Sequence, residues 1–193
     1  MAGNVMSFDS QSLHFHAPSE HSIKGKFYDL ELHIVHYVKP EYEYLTNRKL
    51  AVLGVLFQVD SPAKPNPLIT DVIESVNNKT VLSITPNSLL SPFIKTVAPF
   101  YMYEGSLTTP GCDQIVNWYV VEDPVPISSD QLLFFTSKWK GNVTFANGTA
   151  GNNRMIQNLN GRTIKKAGFS CEEKFVYFFS FLILYIFINY FIF

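Results

Sequence analysis

Residues 13–21 read LHFHAPSEH, and this stretch gives the first information about the fold. We expect residues 13–16 to form a short β-strand that ends at the following proline-containing segment. Successive side chains of a strand point to opposite faces, so His14 and His16 project together while Phe15 points to the other side. The pattern therefore places a pair of imidazoles on one face of a strand.

A second histidine-bearing strand is predicted at residues 30–38, which begin LELHIVH. In this strand Glu31, His33 and Val35 share one face. If the two strands are antiparallel neighbours, His33 can meet the pair formed by His14 and His16.

Three neutral imidazoles that meet at one point form the usual protein half of a catalytic zinc site, in which the fourth position is left for water. Glu31 lies on the same face as His33 and could accept its second ring N–H, which would fix the tautomer of this ligand. The alternative is that the histidines are surface residues or members of a polar network, since histidine serves many roles. All five histidines of the chain lie between residues 14 and 36, which favours the metal. The spacing alone does not specify which metal.

The remaining pattern predicts further strands and only short helices. Residues 50–59 (LAVLGVLFQV) are almost continuously apolar, as expected for a strand that is buried on both faces. Further strands are expected at 100–103 and 115–121, and helical segments at 69–76 and 128–134. The prediction is a strand-dominated α+β domain with short peripheral helices. Strand order does not follow from these patterns.

Size, charge and cysteine content limit the possible classes of protein. The chain has 193 residues, which suits one domain with a substantial core. Its net charge of −1 offers no basic surface for nucleic acid. Two cysteines, Cys112 and Cys171, are too few for a disulfide scaffold and lack metal-ligand spacing. The sequence indicates no particular protein partner.

The last nineteen residues, 175–193, contain no charged residue. This length is close to the roughly 20 residues that a membrane-spanning helix needs, so we expect a C-terminal hydrophobic helix after a short linker at 169–174. A buried core helix is the other possibility. A lipid-anchor signal with attachment at Gly168 or Ser170 is an alternative, although the polar spacer is short for one. The sequence thus predicts membrane attachment.

Three N-glycosylation sequons, which begin at Asn78, Asn142 and Asn147, favour the secretory route and a glycoprotein with its main domain outside the cell or in a lumen. The first residues, MAGNVMSFDS, have neither the basic start nor the apolar run of a signal peptide. The two observations point in opposite directions.

Three sequence blocks together resemble the α-class carbonic anhydrases. They are HFHAPSEH at 14–21, ELHIVH at 31–36 and GSLTTP at 105–110, in the order and separation found in that family. The likeness continues through LAVLG at 50–54 and NNR at 152–154, and covers about residues 11–166. The resemblance implies a partial carbonic anhydrase domain over residues 1–168, with a large, mostly antiparallel central sheet.

The resemblance also implies a role for individual residues. His14, His16 and His33 match the zinc ligands, and Glu31 matches the acceptor behind His33. Thr108 matches the threonine that accepts a hydrogen bond from zinc-bound hydroxide and donates one to a glutamate, here Glu20. The residues that match the substrate mouth and the apolar wall for carbon dioxide are Thr109, Val35, Val52, Leu107, Val116 and Trp118. The implied reaction is the reversible, zinc-dependent hydration of carbon dioxide to bicarbonate.

The chain departs from the family pattern at its amino terminus. Family members carry a long stretch before the paired ligands, including a histidine that transfers protons to solvent, and no residue here matches it. Cys112 matches a cysteine that pairs, in secreted members, with one in that earlier stretch. Ser12 stands where the family has a glutamine that orients the first ligand. These departures lead us to expect an N-terminally truncated domain.

Three hypotheses follow. The first is a carbonic anhydrase whose proton transfer depends on buffer. The second is a catalytically weak or inactive, membrane-tethered binding module on the same fold. The third is a fragment that cannot fold alone because open sheet edges and a reduced core are costly.

Overall fold

The computed structural model describes residues 6–60, 62, 64–84, 99–139, 151–168 and 184–186. Within these ranges lie nine strands, two α-helices and one 3₁₀-helix. The strands are β1 Phe8–His16, β2 Leu30–Val38, β3 Leu50–Val59, β4 Leu82–Ile84, β5 Pro99–Gly105, β6 Val116–Val121, β7 Val125–Ile127, β8 Lys165–Gly168 and β9 Leu184–Ile186. The helices are α1 Pro67–Asn78 and α2 Ser129–Thr136, and the 3₁₀-helix is Pro40–Leu45.

Seven of these strands form one mixed sheet in the order β1-β2-β3-β6-β5-β8, with β7 beside β3. Four of its pairings are antiparallel, while β6 and β7 pair with β3 in parallel. The prediction of a strand-dominated α+β domain with short helices is therefore confirmed.

Strand β3 lies inside the sheet and is buried from Leu50 to Phe57, as its apolar run predicted. Alternate residues of a strand face opposite sides, so β3 contributes to two apolar clusters. The larger cluster contains Leu53, Val55 and Phe57 and packs under the two helices. The smaller one contains Leu50, Val52 and Leu56. The smaller cluster adjoins the histidine-bearing face.

The two helices begin at side-chain caps and are joined by one buried glutamine. The side chain of Asn66 accepts from the Ile69 N–H at the start of α1, and Ser128 with Gln131 forms a capping box at the start of α2. Gln131 also donates to the Asn66 carbonyl at 2.8 Å and accepts from its N–H at 2.9 Å. The predicted helical segments 69–76 and 128–134 are confirmed: the first helix is wider, at Pro67–Asn78, and the second is shifted slightly, to Ser129–Thr136.

The C-terminal hydrophobic helix predicted over residues 175–193 is not supported. Leu184–Ile186 are extended and pair antiparallel with Leu82–Ile84. Branched and aromatic side chains favour a strand once a partner strand is present, which explains the difference. The part of the chain that the structure describes holds no helix long and apolar enough to cross a membrane. The rest of 175–193 lies outside the described residues, as do the linker 169–174 and the sequons at Asn142 and Asn147.

Candidate metal centre

The pairing of β1 with β2 brings three histidines together. The strands are antiparallel, with His14 directly opposite His33 and His16 opposite Glu31. The ring centroid of His14 lies 5.0 Å from that of His16 and 5.2 Å from that of His33. The centroids of His16 and His33 are 4.7 Å apart. One nitrogen of each ring lies within 4.8 Å of the other two. The strand registry therefore produces the cluster that the sequence predicted.

Hydrogen bonds on the far side of two rings fix their tautomers. Nδ1 of His16 lies 3.1 Å from the Asn152 carbonyl oxygen, and Nε2 of His33 lies 2.8 Å from Oε1 of Glu31. Both partners only accept, so both of these ring nitrogens must carry the hydrogen. The lone pairs are then left on Nε2 of His16 and Nδ1 of His33. These are the forms that a metal ion requires.

The donor set fits a zinc ion. Nε2 of His16 is buried and has no hydrogen-bond partner. A buried polar atom without a partner costs on the order of 1–3 kcal/mol, so its presence needs an explanation. A metal ion held by His14, His16 and His33 would satisfy it, and three neutral imidazoles are a ligand set that catalytic zinc accepts.

The surroundings of His14 and His16 favour the neutral form of both rings. The pKa of His14 lies well below its ordinary value because its ring is desolvated, although part of the side chain still reaches solvent, and because a charge on His33 or His16 would repel its own. The pKa of His16 is lowered by burial and by His33. Both rings therefore remain unprotonated, and able to bind metal, to lower pH than a free histidine.

Glu31 is the centre of the polar network behind the cluster. Its side chain has no exposed surface, and Oε2 accepts the backbone N–H groups of Glu20 and His21 at 2.8 Å each. Oε1 accepts from His33 and, at 2.6 Å, from Nδ1 of His21. Burial opposes the charge of Glu31, yet His21 and His33 outweigh burial and hold its pKa well below the usual value. Burial also opposes the charge of His21, whose pKa is nevertheless raised by Glu31.

Glu20 has one oxygen that accepts a hydrogen bond and one that accepts none, the second lying 3.9 Å from Nδ1 of His33. Oε1 accepts the Arg154 N–H at 2.6 Å, while Oε2 is buried and has no hydrogen-bond partner. The hydrogen bond expected from Thr108 to Glu20 is therefore not formed in this structure. The Arg154 guanidinium lies 3.4 Å from the Leu107 carbonyl oxygen, so Arg154 contacts both Glu20 and the loop that carries Thr108.

A pocket opens beside the cluster and has a mainly apolar wall. Val35, Val52 and Trp118 form one row across β2, β3 and β6, because each is the register partner of the next. The residues that line the pocket are His14, His33, Val35, Val52, Leu107, Thr108, Thr109, Val116 and Trp118. All six residues expected at the substrate mouth and wall thus lie around one opening, together with two of the histidines.

The sequence patterns assigned no role to His21, Tyr103 or Asn152. His21 bridges Glu31 and the Tyr103 hydroxyl, which lies 2.6 Å from its Nε2. Asn152 binds His16 through its carbonyl, and its side chain accepts from Ala17 N at 3.0 Å. His21 lies in the block HFHAPSEH and Asn152 in the block NNR. Their position in these blocks is the sequence feature that could have indicated a role at the site. Cys112 is a free cysteine in this structure.

A three-histidine cluster on a mixed sheet, with two buried rings and one exposed ring, a carboxylate behind one ring and an apolar pocket in front, defines a candidate metal centre of the catalytic type. A sequence model of the eukaryotic-type carbonic anhydrase family matches residues 1–168. The chain belongs to this family.

Individual relatives agree with this assignment. A carbonic anhydrase of Dunaliella salina is 31% identical over 186 residues, which cover 92% of this chain and 30% of that relative. Carbonic anhydrase 6 of Mus musculus is 36% identical over 177 residues, with 79% of this chain and 55% of the relative covered. The chain therefore spans less than two thirds of the length of these curated relatives.

Solved structures show the same fold. A carbonic anhydrase from Chlamydomonas reinhardtii in complex with acetazolamide aligns with a TM-score of 0.66 at 33% identity, over 83% of this chain and 66% of that one. A halotolerant carbonic anhydrase from Dunaliella salina aligns with a TM-score of 0.68 at 29% identity, over 86% of this chain and 63% of that one.

Proposed function

We propose that this protein catalyses the reversible, zinc-dependent hydration of carbon dioxide to bicarbonate and a proton. The observation that carries the proposal is the meeting of three histidines, two of which line a pocket with a mainly apolar wall. His14, His16 and His33 would hold the zinc ion. Zinc supplies a Lewis acid that lowers the pKa of bound water to about 7, a value known from carbonic anhydrase itself.

The pocket wall is suited to a small apolar substrate. Val52 and Trp118 are almost fully buried, and Val35 completes their row across three strands. Carbon dioxide has no charge and no hydrogen to donate, so an apolar surface can hold it without an unsatisfied polar group. Bicarbonate is charged and is disfavoured by the same surface, which assists release of the product.

Thr108 and Glu20 would orient the attacking oxygen. Oε2 of Glu20 is buried and unpartnered, so it can accept the proton of a hydroxyl group. If the Thr108 hydroxyl donates to Glu20, its oxygen can only accept from a hydroxide in the pocket. That arrangement directs a lone pair of the hydroxide toward the carbon atom. This hydrogen bond is not formed in the present structure, in which Oε2 of Glu20 accepts no hydrogen bond.

The alternative of a membrane-tethered binding module that lacks catalysis has no specific observation in its favour. A zinc ion with a purely structural role is normally enclosed by four protein ligands. The present cluster has three histidines beside an open pocket, and Thr108 lines that pocket. Binding alone would not need these features.

The test is carbon dioxide hydration by the full chain, measured by stopped flow, with zinc determined by mass spectrometry. The expected result is one zinc per chain and turnover above the uncatalysed rate. His33→Ala should lose both, while Thr108→Ala should keep zinc and lose activity by about 100-fold. Circular dichroism of each variant shows whether it folds. Zinc without activity in the unmodified chain would favour the binding module, and absence of both would reject the proposed function.

A second proposal concerns location: residues 175–193 attach the chain to a membrane, in place of the pairing of Leu184–Ile186 with β4, with the enzyme domain outside the cell or in a lumen. The support is the absence of charge in this segment and the exposed sequon at Asn78, which ends α1. The test expresses the full chain and a chain that ends at Gly168 in the same cells. The full chain should resist alkaline extraction from membranes and shift in mass on removal of N-glycans, whereas Asn78→Gln should show a smaller shift.

A further inference from the structure

We infer that His14 is the ligand at which a metal ion is bound last and lost first. The inference rests on the proposed zinc centre and adds an order among its three histidines. It follows from a difference in how the protein holds each ring.

The rings of His16 and His33 are held from behind, and that of His14 is not. His16 donates to the Asn152 carbonyl and His33 to Glu31. Within the described residues His14 makes no hydrogen bond, and its nearest ring partners are the other two histidines, in edge-to-face contact. Partners behind a ligand fix its ring orientation and raise its basicity, and their loss usually costs about 10- to 100-fold in metal affinity. His14 lacks this support.

The position of His14 in the sheet also exposes it to water. His16 and His33 keep only 5% and 1% of their surface exposed, whereas His14 is exposed. Strand β1, which carries His14, lies at the edge of the main sheet, where β2 is its only partner among the described strands. Water or a competing ligand can therefore reach the bond to His14 more easily than the bonds to the two buried rings.

Ser12 is the residue placed to supply the missing partner. It lies two residues before His14 on the same face of β1, and it pairs with Val35 while His14 pairs with His33. Its hydroxyl makes no hydrogen bond to His14. A glutamine at this position has the length and the carbonyl oxygen to accept a ring N–H, while a methionine has similar length without a strong acceptor.

The first experiment measures the rate at which excess chelator removes zinc from the full chain. Ser12→Gln should slow zinc release by about 10-fold relative to the unmodified chain, because it supplies one outer partner. Ser12→Met is the matched control and should release zinc at the unmodified rate. Equal rates in Ser12→Gln and Ser12→Met would overturn the inference.

The second experiment compares the zinc affinity of His14→Ala with that of His33→Ala by competition with a chelator of known affinity. Loss of the unsupported ligand should cost less affinity, by about 10-fold, than loss of the supported one. The reverse order would overturn the inference even if Ser12→Gln fails to fold. A full chain that binds no zinc would reject the proposed function and the inference together. Zinc binding with no difference between variants rejects the inference alone.

Discussion

Oε1 of Glu31 lies 2.8 Å from Nε2 of His33, and this contact joins the interior of the sheet to the candidate metal centre. The Glu31 side chain is fully buried, and its other oxygen is held by two backbone N–H groups. Because the carboxylate can only accept, it fixes the His33 tautomer and leaves the lone pair on Nδ1. One backbone-anchored charge thus determines which nitrogen is offered to a metal.

Substitution of this carboxylate should weaken zinc binding. Glu31→Gln removes the charge and presents an NH₂ group to one of the two imidazoles that now donate to Glu31. We expect zinc affinity to fall by about 10- to 100-fold, measured by chelator competition. Glu41→Gln changes an exposed glutamate in the 3₁₀-helix and should leave affinity unchanged. Equal affinity in the two variants would show that Glu31 does not support the ligand.

The metal-free protein should lose stability in mild acid because of His14 and His16. Their pKa values in the folded chain are lowered, so the unfolded chain takes up these protons first as the pH falls below about 6.5. For the buried His16, the free energy of unfolding should then decrease by up to about 1.4 kcal/mol per pH unit until its lowered pKa is reached. His14 is exposed, so solvent screening makes its contribution smaller. His21 has a raised pKa, so its protonated ring stabilises the folded chain at low pH. This contribution to the free energy of unfolding is lost as the pH rises through the raised pKa.

Urea unfolding in the presence of chelator, at several values between about pH 7 and about pH 5, measures this slope. His14→Gln removes one titrating ring at an exposed position and should flatten the slope. An unchanged slope in this variant would mean that His14 titrates alike in the folded and unfolded chains.

Local patterns were sufficient for the elements that carry the three histidines. Strands β2 and β3 were predicted with their observed bounds because long runs of branched apolar residues leave little ambiguity. Strand β1 begins five residues earlier than predicted, at Phe8 instead of Leu13. Residues 9–12 (DSQS) have no strand preference of their own, and pairing with β2 determines their conformation.

Other parts could not be predicted because their cause lies far away in sequence. Asn152 is 136 residues from His16, and Tyr103 is 82 residues from His21, so no local period connects them. Strands β4, β7 and β8 have only three or four residues, and their partner strands make them regular. The same effect explains the extended Leu184–Ile186, where an apolar run alone suggested a helix.

The apolar wall gives a prediction that separates substrate binding from metal binding. Val35 is half-buried at the edge of the pocket, so a larger side chain there can be accommodated by the fold. Val35→Phe should fill the space for carbon dioxide and lower kcat/KM for hydration by about 100-fold, with zinc content unchanged. Val35→Ala keeps the space and should stay within a few-fold of the unmodified chain. If both variants retained full activity, this surface would not be where the substrate is held.

Phe15 connects the site to the core, because it lies between His14 and His16 and points to the opposite face of β1. Its ring lies 4.6 Å from that of Phe135 in α2, and 8% of Phe15 is exposed.

Phe15→Ala should lower the free energy of unfolding by about 3–5 kcal/mol, since the removed ring leaves a cavity under the helix. Such a loss is a large part of the roughly 5–15 kcal/mol that holds a domain folded. Leu133→Ala, at an exposed position of α2, is the control and should change stability by less than about 0.5 kcal/mol. Urea unfolding measures both variants, and equal midpoints would mean that β1 does not depend on this packing.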